Sequence, residues 1–187
     1  MKPEIICRLR LLYEKRGISE LISQRNFARI LERSLRRIDF PFKFTEGFHP
    51  RPRLSFGPPL PVNIAGLNEA VDIYTSTLLN EEKLLSRINP LLPEGTRVLR
   101  AEWVPLSLPS LVKSALLAMY FLKGECLPSR DQIPSFVEIR DEKPHQLILL
   151  IKMEGLNHTF LRDHLGFITV ERFILWSADE EGRSNHN

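Results

Sequence analysis

The first part of the chain alternates apolar and polar residues and then changes to a helical repeat. Residues 5–13 mix β-branched and apolar residues with Arg8 and Arg10, which is typical of a half-buried strand that ends at the Lys15-Arg16-Gly17 turn. Residues 19–38 contain no glycine or proline and repeat apolar positions at helical spacing. They predict a first helix that stops before Phe40-Pro41, because a residue preceding proline avoids helical geometry.

The remainder of residues 1–105 completes a β-α-β-β-α-β order. Residues 45–61 are rich in proline and indicate a long, stiff loop, of which only 53–56 alternate like a strand. The pattern then predicts, in chain order, a strand at 69–75, a helix at 81–89 that Asn80 caps, and a strand at 97–104. This order is the split βαβ arrangement of ferredoxin-like folds.

The pattern partly repeats after a Ser/Pro/Leu linker at 106–112. Strands are predicted at 114–122, 136–140, 147–153 and 168–176, and a short helix at 158–165. Residues 127–134, where the first helix of a second ferredoxin-like half would lie, form a short segment bounded by prolines. We therefore expect an α+β protein in which a ferredoxin-like βαββαβ antiparallel sandwich over 1–105 is followed by a degenerate ferredoxin-like half over 113–177. Residues 178–187 predict a disordered tail.

Composition and charge narrow the class of protein. The chain of 187 residues is 43% hydrophobic and 26% charged, as ordinary globular proteins are. Cys7 and Cys126 have no partner at metal-ligand spacing, so we expect no metal site, no cofactor and no disulfide framework. The start of the chain has no signal-peptide core, and no run of about 18 apolar residues appears. These features predict a cytoplasmic protein without a membrane partner.

Charge is divided unevenly along the chain. Residues 1–56 carry 13 Lys and Arg against 6 Asp and Glu, a net charge of +7, while the remaining residues carry 13 against 17, a net charge of −4. A basic segment of this kind suits an anionic partner, although the asymmetry alone favours a simpler explanation, an ordinary solvated surface.

The predicted first helix concentrates arginine on one side. Apart from Ile22, its apolar residues fall within one arc at 100° per residue, which includes Phe27, Ala28, Leu31, Leu35 and Ile38. Opposite them stand Arg25, Arg29, Arg33, Arg36 and Arg37. Glu32 can pair with Arg36 at the i,i+4 spacing, which leaves the other guanidinium groups without an intrahelical partner. These arginines either contact RNA phosphates, or pair with second-half acids such as Glu138, Asp141 and Glu142.

The loop at 45–53 carries aromatic and basic side chains between prolines. Such a loop suits single-stranded nucleic acid, whose bases stack and whose phosphates pair with cations. With the helix, it gives the predicted nucleic-acid-binding residues Arg25, Arg29, Arg33, Arg36, Arg37, Lys43, Phe48, His49, Arg51 and Arg53. His49 with Glu46 is a weak candidate for a general acid/base pair, since imidazole titrates near neutrality.

Other chemistry finds no support in the sequence. The remaining histidines lack metal-ligand spacing, and neither a glycine-rich phosphate loop nor a nucleophile elbow is present. Glu69 and Asp72 fall on opposite faces of their strand and are predicted to be turn and surface residues rather than a paired carboxylate site. The sequence therefore favours a protein that is not an enzyme by itself.

Several segments together resemble a bacterial family, the uncharacterised radical-SAM-linked proteins, found beside or fused to radical SAM enzymes. The resemblance lies in Arg8 to Lys15, Ile22-Ser23, the run Leu31 to Arg37, Phe42 to Pro52 and Leu60-Pro61. It covers residues 5–105 well and the rest loosely. It implies an accessory module for a radical SAM partner that itself holds the cluster-binding cysteines.

Three functions follow as hypotheses. The first is a non-catalytic accessory module that binds RNA through the arginine helix and the proline-rich loop. The second is a docking subunit for the radical SAM enzyme. The third is a metal-independent RNA-processing enzyme that uses a histidine, an analogy that rests on fold alone.

Overall fold

The computed structural model describes residues 6–153 and 168–176, which contain eight strands and three α-helices. The strands are β1 (Cys7–Lys15), β2 (Leu54–Phe56), β3 (Ala65–Thr75), β4 (Thr96–Val104), β5 (Ala115–Gly124), β6 (Val137–Lys143), β7 (Gln146–Lys152) and β8 (Ile168–Trp176). The helices are α1 (Gln24–Arg37), α2 (Glu81–Ile88) and α3 (Leu111–Ser114), with short 3-10 turns at Gly17–Leu21, Asn89–Leu91 and Arg130–Gln132.

All eight strands join one sheet, which is mostly antiparallel. Its order is β4-β1-β3-β8-β5-β7-β6, and β2 also pairs with β3. Within the described residues the one parallel pairing is that of β3 with β8, at Ala65 with Glu171 and Gly66 with Arg172. The predicted mixture of helices and antiparallel strands is confirmed, and the two predicted halves share a continuous sheet.

The first helix begins later than its apolar period predicts. Residues 17–21 form a 3-10 turn, and α1 starts only after Ser23, whose hydroxyl accepts from the backbone N–H of Asn26 at 3.3 Å. The cause is Ser19, which is fully buried and whose hydroxyl donates to the carbonyl oxygen of Glu94 and accepts from Thr96 Oγ1 at 2.9 Å. These contacts hold residues 17–21 against the turn before β4, so the helix cannot extend back through them.

Most other elements lie close to their predicted positions. The Asn80 cap of α2 is present, with the backbone N–H of Lys83 donating to Asn80 Oδ1 at 2.8 Å. Strand β3 starts at Ala65 rather than at 69, because its first residues pair with β8 and with Lys15. In residues 127–134, at the position of the missing helix of the second half, the only helical element is the 3-10 turn Arg130–Gln132. The predicted helix at 158–165 and the predicted tail at 178–187 lie outside the described residues.

Two hydrophobic clusters stand on the shared sheet. The first lies between the sheet and the helices α1 and α2, and the second is built mainly from β5, β7 and β8. Buried members of the first include Leu9, Leu11, Phe27, Leu31, Leu35, Val71, Ile73, Leu84 and Ile88. Buried members of the second include Ala118, Tyr120, Leu122, Leu149, Ile151 and Val170.

A buried ion pair lies where the two clusters meet. Arg172 is 0% exposed, and its guanidinium donates to both carboxylate oxygens of Glu69, at 2.9 and 2.7 Å. The same guanidinium donates to the carbonyl oxygens of Pro58 and Pro59 at 3.0 and 2.8 Å. A buried charge is tolerable only when it is paired and hydrogen-bonded in this way.

Aromatic and lysine side chains surround this ion pair. Burial, with a smaller contribution from the negative charge of Glu69, raises the pKa of Tyr13 well above its ordinary value. Burial likewise raises the pKa of Tyr120 to about 12, although the charge of Arg172 opposes the shift. The pKa of Lys15 is lowered by burial, and its ammonium donates to the carbonyl oxygen of Ile22 at 2.6 Å. The phenol groups therefore stay neutral at ordinary pH.

Asp72 forms a second buried ion pair, on the opposite face of β3. Its carboxylate accepts two hydrogen bonds from Arg10, at 2.9 and 3.2 Å, and lies 3.8 Å from Nε of Arg8. Arg8 also donates to the carbonyl oxygens of Pro105 and Leu108 and so holds the linker after β4. The prediction that Glu69 and Asp72 are surface residues is wrong, because both are at most 2% exposed. Their placement on opposite faces is as predicted.

The turn before β4 depends on glycine. Gly95 has φ +80°, and an added Cβ would overlap the carbonyl oxygen of Arg16. We expect Gly95→Ala to lower the free energy of unfolding by about 2–3 kcal/mol, measured by urea denaturation. Gly17→Ala is the matched control, because Gly17 has φ +57° with open space around it, and should cost about 1 kcal/mol. Equal losses would contradict the close approach at Arg16.

Candidate nucleic-acid interface

Helix α1 buries its apolar face and leaves its arginines in solvent. Phe27, Leu31 and Leu35 are almost completely buried on the sheet, and the Ser34 hydroxyl donates to the carbonyl oxygen of Leu91 at 3.1 Å. All the predicted helix arginines are exposed, namely Arg25, Arg29, Arg33, Arg36 and Arg37. We call these five residues the arginine face. At 1.5 Å per residue the face extends about 18 Å along the helix axis, from Arg25 to Arg37.

Most of the arginine face has no counter-charge. Arg36 donates to Glu32 Oε1 at 2.9 and 3.0 Å, as the i,i+4 spacing predicts. The side chains of the other arginines of the face form no hydrogen bond or ion pair with any residue in 6–153 or 168–176.

The second-half acids that were the alternative partners of the face form ion pairs within the second half. Glu138 pairs with Arg140, Asp141 with Lys143, and Glu142 with Arg130. Glu138, Asp141 and Glu142 therefore do not pair with the arginine face, and the second-half acids Glu154 and Asp163 lie outside the described residues.

The proline-rich loop folds into a small hairpin beside α1, over residues 43–53, here called the tip hairpin. The backbone N–H of Arg53 donates to the carbonyl oxygen of Lys43, and that of Thr45 to the carbonyl oxygen of Arg51, both at 2.8 Å. The turn between them passes through Gly47 at φ +119°. Phe48 at the turn is fully exposed, at 103% of its reference area. A whole phenyl ring is thus presented to solvent.

Cation–π contacts connect the arginine face with the base of the tip hairpin. The Arg36 guanidinium carbon lies 5.7 Å from the ring centroid of Phe42 and 5.6 Å from that of Phe44. The Arg53 guanidinium carbon lies 4.1 Å above the Tyr74 ring, close enough for a cation–π contact. Each arginine keeps its charge and becomes restricted in position. The structure thereby brings the carboxyl end of the arginine face and the tip hairpin onto one surface.

The remaining predicted residues lie on the same hairpin. His49, Arg51 and Arg53 are exposed, while Lys43 is half-buried. His49 and Glu46 are both exposed, and no hydrogen bond or ion pair joins them. In the described part of the chain, no group of three or more His, Cys, Asp or Glu side chains is placed to hold a metal ion. The arrangement is an open basic and aromatic surface rather than an enclosed reaction centre.

Sequence reasoning missed some residues beside this surface. The rings of Phe42, Phe44 and Tyr74 support arginines, and the alternation Phe42-Lys43-Phe44 was the available signal for two of them. Lys83 and Arg87 are exposed on α2, where their i,i+4 spacing places both on one side of the helix.

Comparison with known proteins gives the family of the chain. No curated protein matches it. In the described residues no helix has both the length and the apolar character required to cross a bilayer. The model of a family described as an uncharacterised protein conserved in bacteria (DUF2344) matches residues 8–153, well over half of the chain. That match includes both the arginine face and the tip hairpin. The chain therefore belongs to this bacterial family of uncharacterised proteins (DUF2344).

Proposed function

We propose that the chain is a non-catalytic module that binds single-stranded RNA through the arginine face and the tip hairpin. The observation that carries the proposal is the exposure of Arg25, Arg29, Arg33 and Arg37 without any ion-pair partner among the described residues. Surface charges are ordinarily mixed in sign, whereas this face carries a row of one sign. A row of guanidinium groups matches a row of phosphates.

The chemistry of the side chains supports a single strand. A guanidinium donates two parallel hydrogen bonds to a phosphate and stays charged at any physiological pH. An exposed aromatic ring stacks on an unpaired base, which a duplex would not offer. Phe48 provides such a ring, with His49 and Arg51 beside it on the tip hairpin. Phosphates along α1 and a base on Phe48 are therefore compatible with one bound strand.

The proposed setting is that of an accessory protein in the cytoplasm of a bacterium, working beside a radical SAM enzyme. The enzyme partner follows from the resemblance to radical-SAM-linked proteins. We also propose that each half is ferredoxin-like. The strand order β4-β1-β3-β2 in the first half and β8-β5-β7-β6 in the second supports this, because both place the first strand between the fourth and the third. In the second half, a 3-10 turn replaces the first helix.

The direct test is RNA affinity as a function of salt. If four to six phosphates are neutralised, the logarithm of the association constant should fall against log[salt] with a slope of about −3 to −4 for a single strand. Fluorescence anisotropy with a labelled RNA measures the slope, and gel analysis of the same RNA reports any cleavage, with His49→Ala as the comparison. Affinity that does not depend on salt would contradict the proposal.

The exposure of Phe48 also favours a second candidate, a docking subunit for the radical SAM enzyme. A fully exposed phenyl ring on a stiff hairpin is the kind of aromatic anchor that dominates protein interfaces. Purification of the tagged chain from its bacterial host, with and without ribonuclease treatment, separates the two functions. A partner enzyme that is retained after ribonuclease, and lost in Phe48→Ala, would support docking.

A further inference from the structure

A groove of about 310 Å³ opens where the arginine face ends. It lies between the carboxyl end of α1 and the amino end of α2. Ile38, Phe40 and Leu84 form apolar walls and are each less than one-tenth exposed, while Leu78 stands at the rim and is 67% exposed. This volume is at the lower end of the range for small-molecule pockets, which are mostly apolar with a few polar groups.

The polar groups of this groove are two cations, a carboxylate and an amide. Lys83 and Arg87 are exposed and form no hydrogen bond or ion pair through their side chains with the described residues. Asp39, at φ +57°, presents a carboxylate that is likewise without a described partner. Asn80 uses its Oδ1 to cap α2, which leaves its two amide hydrogens to donate. The groove thus has two cations at one wall, a hydrogen-bond acceptor in Asp39 and a hydrogen-bond donor in Asn80.

The groove is continuous with the arginine face. Arg36 and Arg37 directly precede Ile38, the first residue of its lining. The acidic first turn of α2, Glu81 and Glu82, is not part of the lining. An RNA strand whose phosphates follow α1 would therefore meet one carboxylate of the lining, that of Asp39, beside the cations Lys83 and Arg87.

We propose that this groove accepts one unpaired nucleotide of an RNA strand bound on the arginine face, an inference that rests on the proposed function. The base lies between the apolar walls, and its phosphate contacts Lys83 and Arg87. Asp39 accepts from, and Asn80 donates to, polar groups of the base or ribose. The charges favour this occupant, because two cations and the adjoining arginines exceed the single carboxylate of the lining.

The test compares a short single-stranded RNA with an abasic ribose-phosphate polymer of the same length. Leu78→Trp places a large ring at the rim of the groove without changing charge. We expect it to weaken RNA binding about tenfold, the size of effect found for one base contact, and to leave binding of the abasic polymer unchanged. Leu116→Trp is the matched control, because Leu116 is 52% exposed and lies in the second half; it should change neither affinity.

A second variant tests the phosphate contact. Lys83→Ala with Arg87→Ala should weaken binding of the RNA and of the abasic polymer alike, since both ligands carry phosphate. If Leu78→Trp weakens both ligands equally, or neither, base insertion is wrong while the proposed function stands. If the wild-type chain binds neither ligand, the proposed function fails and this inference fails with it. An acidic peptide that competes for the groove and loses affinity in Leu78→Trp, when RNA does not, would assign the groove to a protein partner and overturn base insertion.

Discussion

Replacing Arg172 by methionine is expected to lower the free energy of unfolding by about 3–5 kcal/mol, the cost of breaking a buried ion pair by removing one partner. The change leaves the Glu69 carboxylate, which is 2% exposed, without its counter-charge. It also leaves the carbonyl oxygens of Pro58 and Pro59 without their donors. Urea denaturation followed by circular dichroism measures the loss.

Two further variants test whether the loss of stability comes from the buried ion pair of Arg172 with Glu69. Arg16→Met removes the ion pairs of Arg16 with Glu14 at 3.2 Å and with Glu171 at 3.6 Å. All three side chains are at least one quarter exposed, so the change should cost less than about 1 kcal/mol. The double variant Arg172→Met with Glu69→Leu should be more stable than Arg172→Met alone, because it leaves no isolated buried charge. If Arg172→Met costs no more than Arg16→Met, the buried pair does not hold the two halves together.

Reversing two charges on the arginine face should reduce RNA affinity about 100-fold. Arg29→Glu with Arg33→Glu removes two phosphate contacts of about 1.5 kcal/mol each, a combined loss of about two powers of ten. The salt slope should also become shallower by about 1.4, which is the contribution of two phosphates on a single strand. Anisotropy titrations at several salt concentrations measure both quantities.

The control for this variant is Lys113→Glu with Lys123→Glu. It changes the net charge by the same amount, and both lysines are exposed in the second half without a described ion-pair partner. A similar loss of affinity in the control would mean that net charge, and not the arginine face, determines binding. Both double variants should unfold at nearly the wild-type urea concentration, since the side chains that they replace are exposed.

The sequence predicted structural features correctly where these depend on the periodicity of neighbouring residues within one helix or strand. The 100° repeat of α1 identified both its buried side and its exposed arginines, because helix geometry relates residues only a few positions apart. The same reasoning placed Glu69 and Asp72 on opposite faces of β3. It could not reveal that both are buried, because the partner of Glu69 is Arg172, far along the chain, and such long-range pairs leave no pattern in a single sequence.

The candidate nucleic-acid interface likewise has features that the sequence predicts and features that depend on long-range contacts. The arginines of α1 and the basic residues of 43–53 were identified by type and spacing. Their arrangement depends on contacts of Arg36 with Phe42 and Phe44, and of Arg53 with Tyr74, across segments that the sequence does not bring together. The late start of α1 has a similar cause, because Ser19 bonds with the turn that precedes β4.

Strand β3 connects the two regions that these experiments address. Its first residues pair with β8 beside the buried Arg172, and the backbone of Tyr74 near its other end bonds with both Lys43 and Arg53 of the tip hairpin. At about 3.3 Å per residue, the eleven residues of β3 place these two sets of contacts about 30 Å apart on one continuous backbone. The buried ion pair and the tip hairpin are therefore anchored to the same strand.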